Sequence, residues 1–258
     1  MGLGDWDGRH AERDTDPIRD SEMGSFRTAG TPGFRPRSAL TWGRVDGMTD
    51  WVSWHRQYDD LESSLARRLV AVQHGIARAL DGLAPGPIRI LSLCAGDGRD
   101  LVPVVAGHAR RRDVDAVLIE QDARLVAAAN QRCTETGLAP QIAVRQGDAG
   151  DVAVSSDVIP VDLLMLCGIF GNISDADIAT TVNATPQLVA PGGFVIWTRG
   201  SFEPDRREQI RAWFRECGCD EISYDAEPNG YGVGVVQRPM STRTPSEPPT
   251  GRLFTFTR

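Results

Sequence analysis

The chain contains no lysine. All 28 of its basic residues are arginine, set against 35 acidic residues, for a formal net charge of −7. No lysine amine can therefore form a Schiff base or take up a proton, and a phosphate-binding P-loop, which ends in Gly-Lys, is excluded. The bias reads as the composition of a GC-rich bacterial genome. The acidic balance disfavours broad binding to nucleic acid or to an anionic membrane. Long apolar runs are also missing, since none reaches the roughly 18 residues of a membrane span. The opening Met1-Gly-Leu-Gly-Asp-Trp-Asp has neither the basic start nor the apolar stretch of a signal peptide, so the cytoplasm is the expected compartment. Cysteine is sparse. Cys94, Cys133, Cys167, Cys217 and Cys219 are odd in number and scattered, which is no disulfide framework, and Cys217-Gly-Cys219 lacks a second pair to complete a zinc site.

At 258 residues the chain is long enough to bury a full core. Residues 1–45 are rich in Gly, Asp, Arg, Ser, Thr and Pro without sustained periodicity, as in a flexible N-terminal arm. Trp6, Phe26, Phe34 and Trp42 could pin that arm to the body or to a second subunit, so a homodimer is open. The character changes over 46–62. There Trp51, Trp54, His55 and Tyr58 recur at helical spacing on one face. That face either packs on the core or forms a lid whose polar tips close over a pocket. Ser63 or Ser64 can cap the helix that follows, whose stripe is Leu65, Leu69, Val72, Ile76 and Leu80. Asp81-Gly82 and Pro85-Gly-Pro87 end it. Residues 46–86 are thus expected to be a helical lid, and 87–258 a core.

From Ile88 strand and helix patterns alternate, which implies a mostly parallel sheet. The first strand, 88–94, enters the turn Ala95-Gly96-Asp97-Gly98, followed by a helix over 98–109. Glycines there allow a tight turn and close approach of a ligand to the backbone. A dinucleotide fingerprint needs a third glycine where this chain has Leu101. The second strand, 114–119, ends on Glu120-Gln121, and an acid at such a tip is placed to accept both hydroxyls of a ribose. The third, 142–145, leads to Asp148-Ala149. The fourth, 161–166, exits through Cys167-Gly168-Ile169-Phe170-Gly171-Asn172. Pro191-Gly-Gly193 precedes the fifth, which ends at Arg199. Three strand-like runs close the chain, Glu221–Ala226, Tyr231–Gln237 and Leu253–Thr257.

In this order the glycine turn, Glu120, Asp148-Ala149, the fourth-strand exit and Pro-Gly-Gly resemble the class I S-adenosylmethionine (SAM)-dependent methyltransferases over 88–258. The resemblance implies an α/β fold. Its centre would be a Rossmann-like, mostly parallel seven-stranded sheet with helices on both faces, here with an N-terminal helical lid. It implies SAM as cofactor, held by Cys94, Ala95, Gly96, Asp97, Gly98 and Asp100 in the turn, by Glu120 and Gln121, by Asp148 and Ala149 at the adenine amino group, and by Cys167, Gly168 and Phe170 at the crevice. Phe170 and Asn172 would face the reacting centre. The family's sheet ends in an antiparallel pair whose last strand inserts between the fifth and sixth. Glu221–Ala226 and Leu253–Thr257 are the expected pair, with Tyr231–Gln237 an extra strand or a loop. Two positions depart from the pattern. Ser92 stands where the family has an acid that helps to hold the cofactor's ammonium group, and Cys94 where it has a glycine. Asp97 or Asp100 could substitute for the acid.

Methyl transfer needs an acceptor lone pair in line with the S–CH3 bond and water kept out. A hydroxyl or ammonium acceptor must also lose a proton. His55 is the candidate base, oriented by Tyr58 or Asp59, with Asn172 beside the reaction. The fourth-strand exit lacks the Asn/Asp-Pro-Pro-Tyr/Phe pattern of amino-methylating nucleic-acid enzymes. That favours O- or N-methylation of a small molecule, such as a bacterial specialised metabolite. The rivals are an RNA or protein acceptor, a SAM-fold enzyme of different chemistry such as cyclisation, and a non-catalytic SAM-binding module.

Overall fold

A computed structural model describes residues 44–45, 48–49, 58, 60, 62–242 and 249–257. Residues 1–43 of the expected arm and most of 46–62 in the expected lid, His55 and Asp59 included, lie outside the described residues. A short antiparallel pair, β1 (Arg44–Val45) and β2 (Met48–Thr49), comes first. Helix α1 (Ser64–Gly82) starts where the Ser63 hydroxyl accepts from the Ala66 amide at 3.0 Å. Its inner face buries Val72, Ile76, Ala79 and Leu80, while Leu65 and Leu69 are half-buried. Gly75 lets α1 approach the sheet, since a Cβ there would lie 3.1 Å from Val235.

The central sheet is built from β3 (Ile88–Leu93), β4 (Val114–Glu120), β5 (Ile142–Gln146), β6 (Val161–Leu166), β7 (Val189–Gly200), β8 (Asp220–Ala226) and β9 (Tyr231–Gln237). Their order is β5-β4-β3-β6-β7-β9-β8. The first five pair in parallel, and β9 runs antiparallel to both of its neighbours, so the sheet is mixed. Alternate residues feed two apolar layers. On one face Ile88, Ile90, Leu163, Met165 and Ile196 pack beneath α1, α2 (Val102–Gly107) and α3 (Ala123–Glu135). On the other Leu91, Leu93, Leu164, Leu166 and Trp197 pack beneath α4 (Asp175–Asn183), α5 (Thr185–Leu188) and α6 (Arg207–Glu216). Covered on both sides, the central strands read as unbroken apolar runs.

Three details differ from the sequence expectation. The helix after the glycine turn begins at Val102 rather than at 98, because 98–101 form a tight turn and Pro103 enters the first helical turn. Pro191-Gly192-Gly193 lies within β7 as an irregularity rather than before it: between the pairs Val161/Val189 and Leu163/Phe194, β7 advances five residues (194 − 189) while β6 advances two (163 − 161). The inserted strand of the antiparallel pair is Tyr231–Gln237, not Leu253–Thr257. The reason is shape. Trp197 and Tyr224 lie over β9, where a Cβ on Gly234 would sit 2.3 Å from the Trp197 ring and one on Gly232 would sit 2.7 Å from the Tyr224 hydroxyl.

Gly234→Ala is therefore expected to destabilise the chain by about 1–3 kcal/mol through overpacking. Urea unfolding measures this, and an unchanged midpoint would show that Trp197 can move aside.

Candidate functional site

The strand order reverses between β3 and β6, and in an open α/β sheet the crevice beyond the carboxyl ends of those strands is the ligand position. The β3 exit turns through three left-handed residues, Cys94 (φ +56°), Gly96 (φ +58°) and Gly98 (φ +71°). A side chain at such an angle costs on the order of 1–2 kcal/mol, so Cys94 occupies a conformation suited to glycine. Gly98 is required by packing as well, because its Cβ would meet Val102 at 3.1 Å and Leu118 at 3.2 Å.

Glu120 holds this turn. Its buried carboxylate accepts from the Gly96 amide at 2.8 Å, the Gln121 amide at 2.8 Å and the Asp122 amide at 2.9 Å. A carboxylate offers about four acceptor sites, so three amides leave one for a ligand. Glu120 can take one ribose hydroxyl as it stands, and a second only if an amide lets go. Gln121 is exposed, and its carbonyl accepts from the Gln146 side chain at 3.2 Å. Ala95 and Ala149 are buried and offer backbone only.

The two candidate substitutes for the missing acid separate clearly. Asp97 is buried and committed. It accepts from Arg99 Nε at 2.9 Å, from Arg99 Nη2 at 2.8 Å and from Arg132 Nη2 at 2.9 Å, while Arg132 Nε bonds its carbonyl at 3.0 Å. Asp100 accepts from the Leu101 amide at 2.8 Å and has no ion pair among the described residues. Burial pushes its carboxyl up to about 6, against the Leu101 amide and the Arg68 charge, with the Asp97 charge adding to the rise.

The Asp100 charge acts on Tyr58 and Cys167 and favours the protonated form of both. Tyr58 is clasped by two arginines. Arg68 Nη2 donates to its hydroxyl, and the Arg99 guanidinium stands 4.6 Å from the ring centroid. Burial raises the Tyr58 phenol above its usual range, against the pull of Arg68. Gln73 of α1 ties that helix to the turn by donating to the Arg99 carbonyl at 2.9 Å. Burial also raises both crevice thiols. The charges of Glu120 and Asp148 add to this at Cys94, and that of Asp100 at Cys167. Both remain neutral thiols at physiological pH, each facing carboxylates.

Asp148 accepts from the Gly150 amide at 2.9 Å and pairs with Arg252 at 2.8 Å. Burial would raise its carboxyl, but those two contacts outweigh it and hold the group below its ordinary value. Gly168 (φ +78°) donates its amide to the Thr198 hydroxyl at 2.8 Å. Phe170 is a correction: its ring is 1% exposed and packs on Trp197 at 6.3 Å between centroids, in the core rather than at the reacting centre. Asn172 closes the loop, donating from Nδ2 to the Gly168 carbonyl at 2.8 Å. That bond shapes the β6 exit and uses one of the two N–H groups of the amide.

Sequence reasoning missed Arg68, Arg99, Gln73 and Arg252. Arg68 and Gln73 are half-buried residues off the apolar stripe of α1, a position that ordinarily means solvent. The described residues hold no cluster of three or more His, Cys, Asp or Glu able to bind a metal, and no described helix is long and apolar enough to cross a membrane.

No protein-family model matches the chain, and no curated protein matches it. Solved structures do. An O-methyltransferase family protein from Burkholderia thailandensis superposes with a TM-score of 0.52 at 15% identity, over 74% of this chain and 70% of that one. The CurJ carbon methyltransferase gives 0.54 at 17% identity, over 74% and 58%. A Bordetella parapertussis protein described as a candidate exported protein gives 0.54 at 17% identity, over 67% of each chain. With the sheet order and the glycine turn, these likenesses define the fold: it is that of the class I SAM-dependent methyltransferases.

A raised carboxyl makes stability depend on pH. Folded Asp100 keeps its proton up to about pH 6, whereas the unfolded chain releases it near 3.8. Between those values the folded state binds more protons, so stability falls as pH rises through the window. Asp100→Asn removes that cost and is expected to be more stable than the parent at pH 8 by on the order of 1–3 kcal/mol, with the gain shrinking towards pH 4. Denaturant midpoints at the two pH values test this, and a pH-independent difference would contradict it.

Proposed function

We propose that this chain binds SAM in the β3/β6 crevice and transfers its methyl group to an oxygen or nitrogen of a small molecule. The observation that carries the proposal is the carboxylate arrangement at the switch point. Glu120 ends β4 and accepts from the Gly96 amide of the β3 exit, Asp148 follows β5, and Asp100 lies in the β3 exit turn, so all three stand at the carboxyl edge of the parallel strands. In this arrangement Asp148 takes the adenine amino group, Glu120 one ribose hydroxyl and Asp100 the ammonium. The neutral thiols of Cys94 and Cys167, just past the ends of β3 and β6, bring no competing charge. Bound SAM would supply an electrophilic methyl on a sulfonium. Tyr58, kept protonated by burial and oriented by Arg68 and Arg99, can donate a hydrogen bond to an acceptor substrate but is a poor base. His55 is the proposed base. Orientation of the two reactants and exclusion of water then supply most of the rate enhancement. We assign the chain to cytoplasmic bacterial small-molecule biosynthesis, with no nucleic-acid or membrane partner.

Calorimetric titration with S-adenosylhomocysteine, with NAD as control, tests the cofactor assignment. Binding of the former alone is expected, weakening as pH falls through about 6, where Asp100 takes up its proton. Asp100→Asn is expected to weaken it about tenfold or more at pH 8, since a hydrogen bond to a charged group contributes about 1.5–3 kcal/mol. Equal affinity in the variant would remove Asp100 from the site. For the chemistry, His55→Ala should lower turnover and leave S-adenosylhomocysteine binding intact; undiminished turnover would remove the base.

A further inference from the structure

Between β5 and β6 the chain forms no α-helix, only a short turn at Val152–Val154. The sheet face beside that connection is covered instead by the C-terminal residues 249–257. Leu253 and Phe254 are buried there against Ala149, Val152 and Ile173. Backbone bonds fasten the segment at both ends. The Leu253 amide donates to the Gly150 carbonyl at 2.8 Å, the Val152 amide to the Gly251 carbonyl at 3.0 Å, and the Thr257 amide to the Asn172 carbonyl at 2.8 Å. The Thr181 hydroxyl of α4 donates to the Leu253 carbonyl at 3.3 Å. The fit at Gly150 is close enough that a Cβ would lie 2.2 Å from the Phe254 carbonyl oxygen.

The fastened segment brings Arg252 to Asp148. Nη2 of Arg252 lies 2.8 Å from Oδ2 of Asp148, and Nη1 donates to the Phe254 carbonyl at 3.2 Å, so the segment's own backbone aims the guanidinium. The Gly150 amide occupies Oδ1 at 2.9 Å. Each carboxylate oxygen thus has one fixed donor and one open acceptor site. We propose that Arg252 is a positioning residue of the cofactor site: it orients Asp148 and keeps it an acceptor for an adenine amino group. This rests on Asp148 being the adenine contact. The charges around Asp148 are consistent with the role. Among the described residues Arg252 is the cation paired with it, and Asp151 and Asp177 lie near Arg252. Without Arg252 only the Gly150 amide opposes burial, so the balance moves towards the protonated acid, which presents a donor where adenine needs an acceptor.

The side chains of Arg252 and Asp148 are 47% and 41% exposed, so the pair contributes little to stability and Arg252 variants should fold. The test compares S-adenosylhomocysteine with its inosine counterpart, in which a carbonyl replaces the adenine amino group. Calorimetry on the full chain at about pH 7.5 and about pH 5 gives the ratio of affinities, from which Asp100 cancels because both ligands carry the same ammonium. The parent should prefer adenine about tenfold or more at both pH values, the worth of one charge-assisted hydrogen bond. Arg252→Ala and Arg252→Gln should lose that preference at the lower pH and keep part of it at the higher, and Arg252→Lys should restore it. An unchanged preference in Arg252→Ala overturns the inference and leaves SAM binding standing. A preference that survives Asp148→Ala overturns it too, because adenine is then read elsewhere. If the parent binds neither compound, the cofactor assignment falls, and this inference with it.

Discussion

One buried carboxylate organises the crevice. Glu120 ends β4 and gathers three backbone amides, one from the β3 exit turn and two from the entry to α3. An unpaired buried carboxylate would be costly, and unpaired buried amides nearly as much, so each side needs the other. The bonds fix the spacing between the tips of β3 and β4 and set the curve of the glycine turn. They also keep the left-handed residues Cys94, Gly96 and Gly98 in place, and with them the opening between β3 and β6. That opening is where the sheet order reverses. Removing the carboxylate would leave three amides without a partner and the turn without its anchor.

The electrostatics of the opening follow from which charges are already matched. Asp97 is neutralised by Arg99 and Arg132, and Asp148 by Arg252. Asp100 is not matched among the described residues, and burial drives its carboxyl up to about 6. A group in that state is stabilised most by an incoming cation. Stability and binding therefore pull in opposite directions at this residue. An incoming cation would favour the ionised form of this half-buried acid and offset part of the cost of its burial.

Much of the architecture was legible in the sequence because the central strands are buried on both faces and so appear as plain apolar runs. The glycine turn and the acids at the strand tips were legible for the same reason, since chain order places them at one edge of a parallel sheet. The antiparallel pair was misassigned because its deciding feature is non-local. Gly232 and Gly234 mark β9 as the inserted strand only when Tyr224 and Trp197 are seen lying over it. Phe170 was expected at the reacting centre from its nearness to the β6 exit, yet its ring turns inward to Trp197. Asp97 and Asp100 were equivalent in sequence, and only the arginines folded over Asp97 tell them apart. Arg252 lies 104 residues beyond Asp148 (252 − 148), and no local pattern links them.

The central claim is that the crevice receives the two ends of one ligand, adenine at Asp148 and ammonium at Asp100. A crystal structure of the chain with S-adenosylhomocysteine tests it most directly. The account predicts the adenine amino group within hydrogen-bond distance of Asp148, with Arg252 still paired behind it, and the ammonium against Asp100. An ammonium held elsewhere with Asp100 uninvolved, or an adenine that displaces the C-terminal segment, would contradict it.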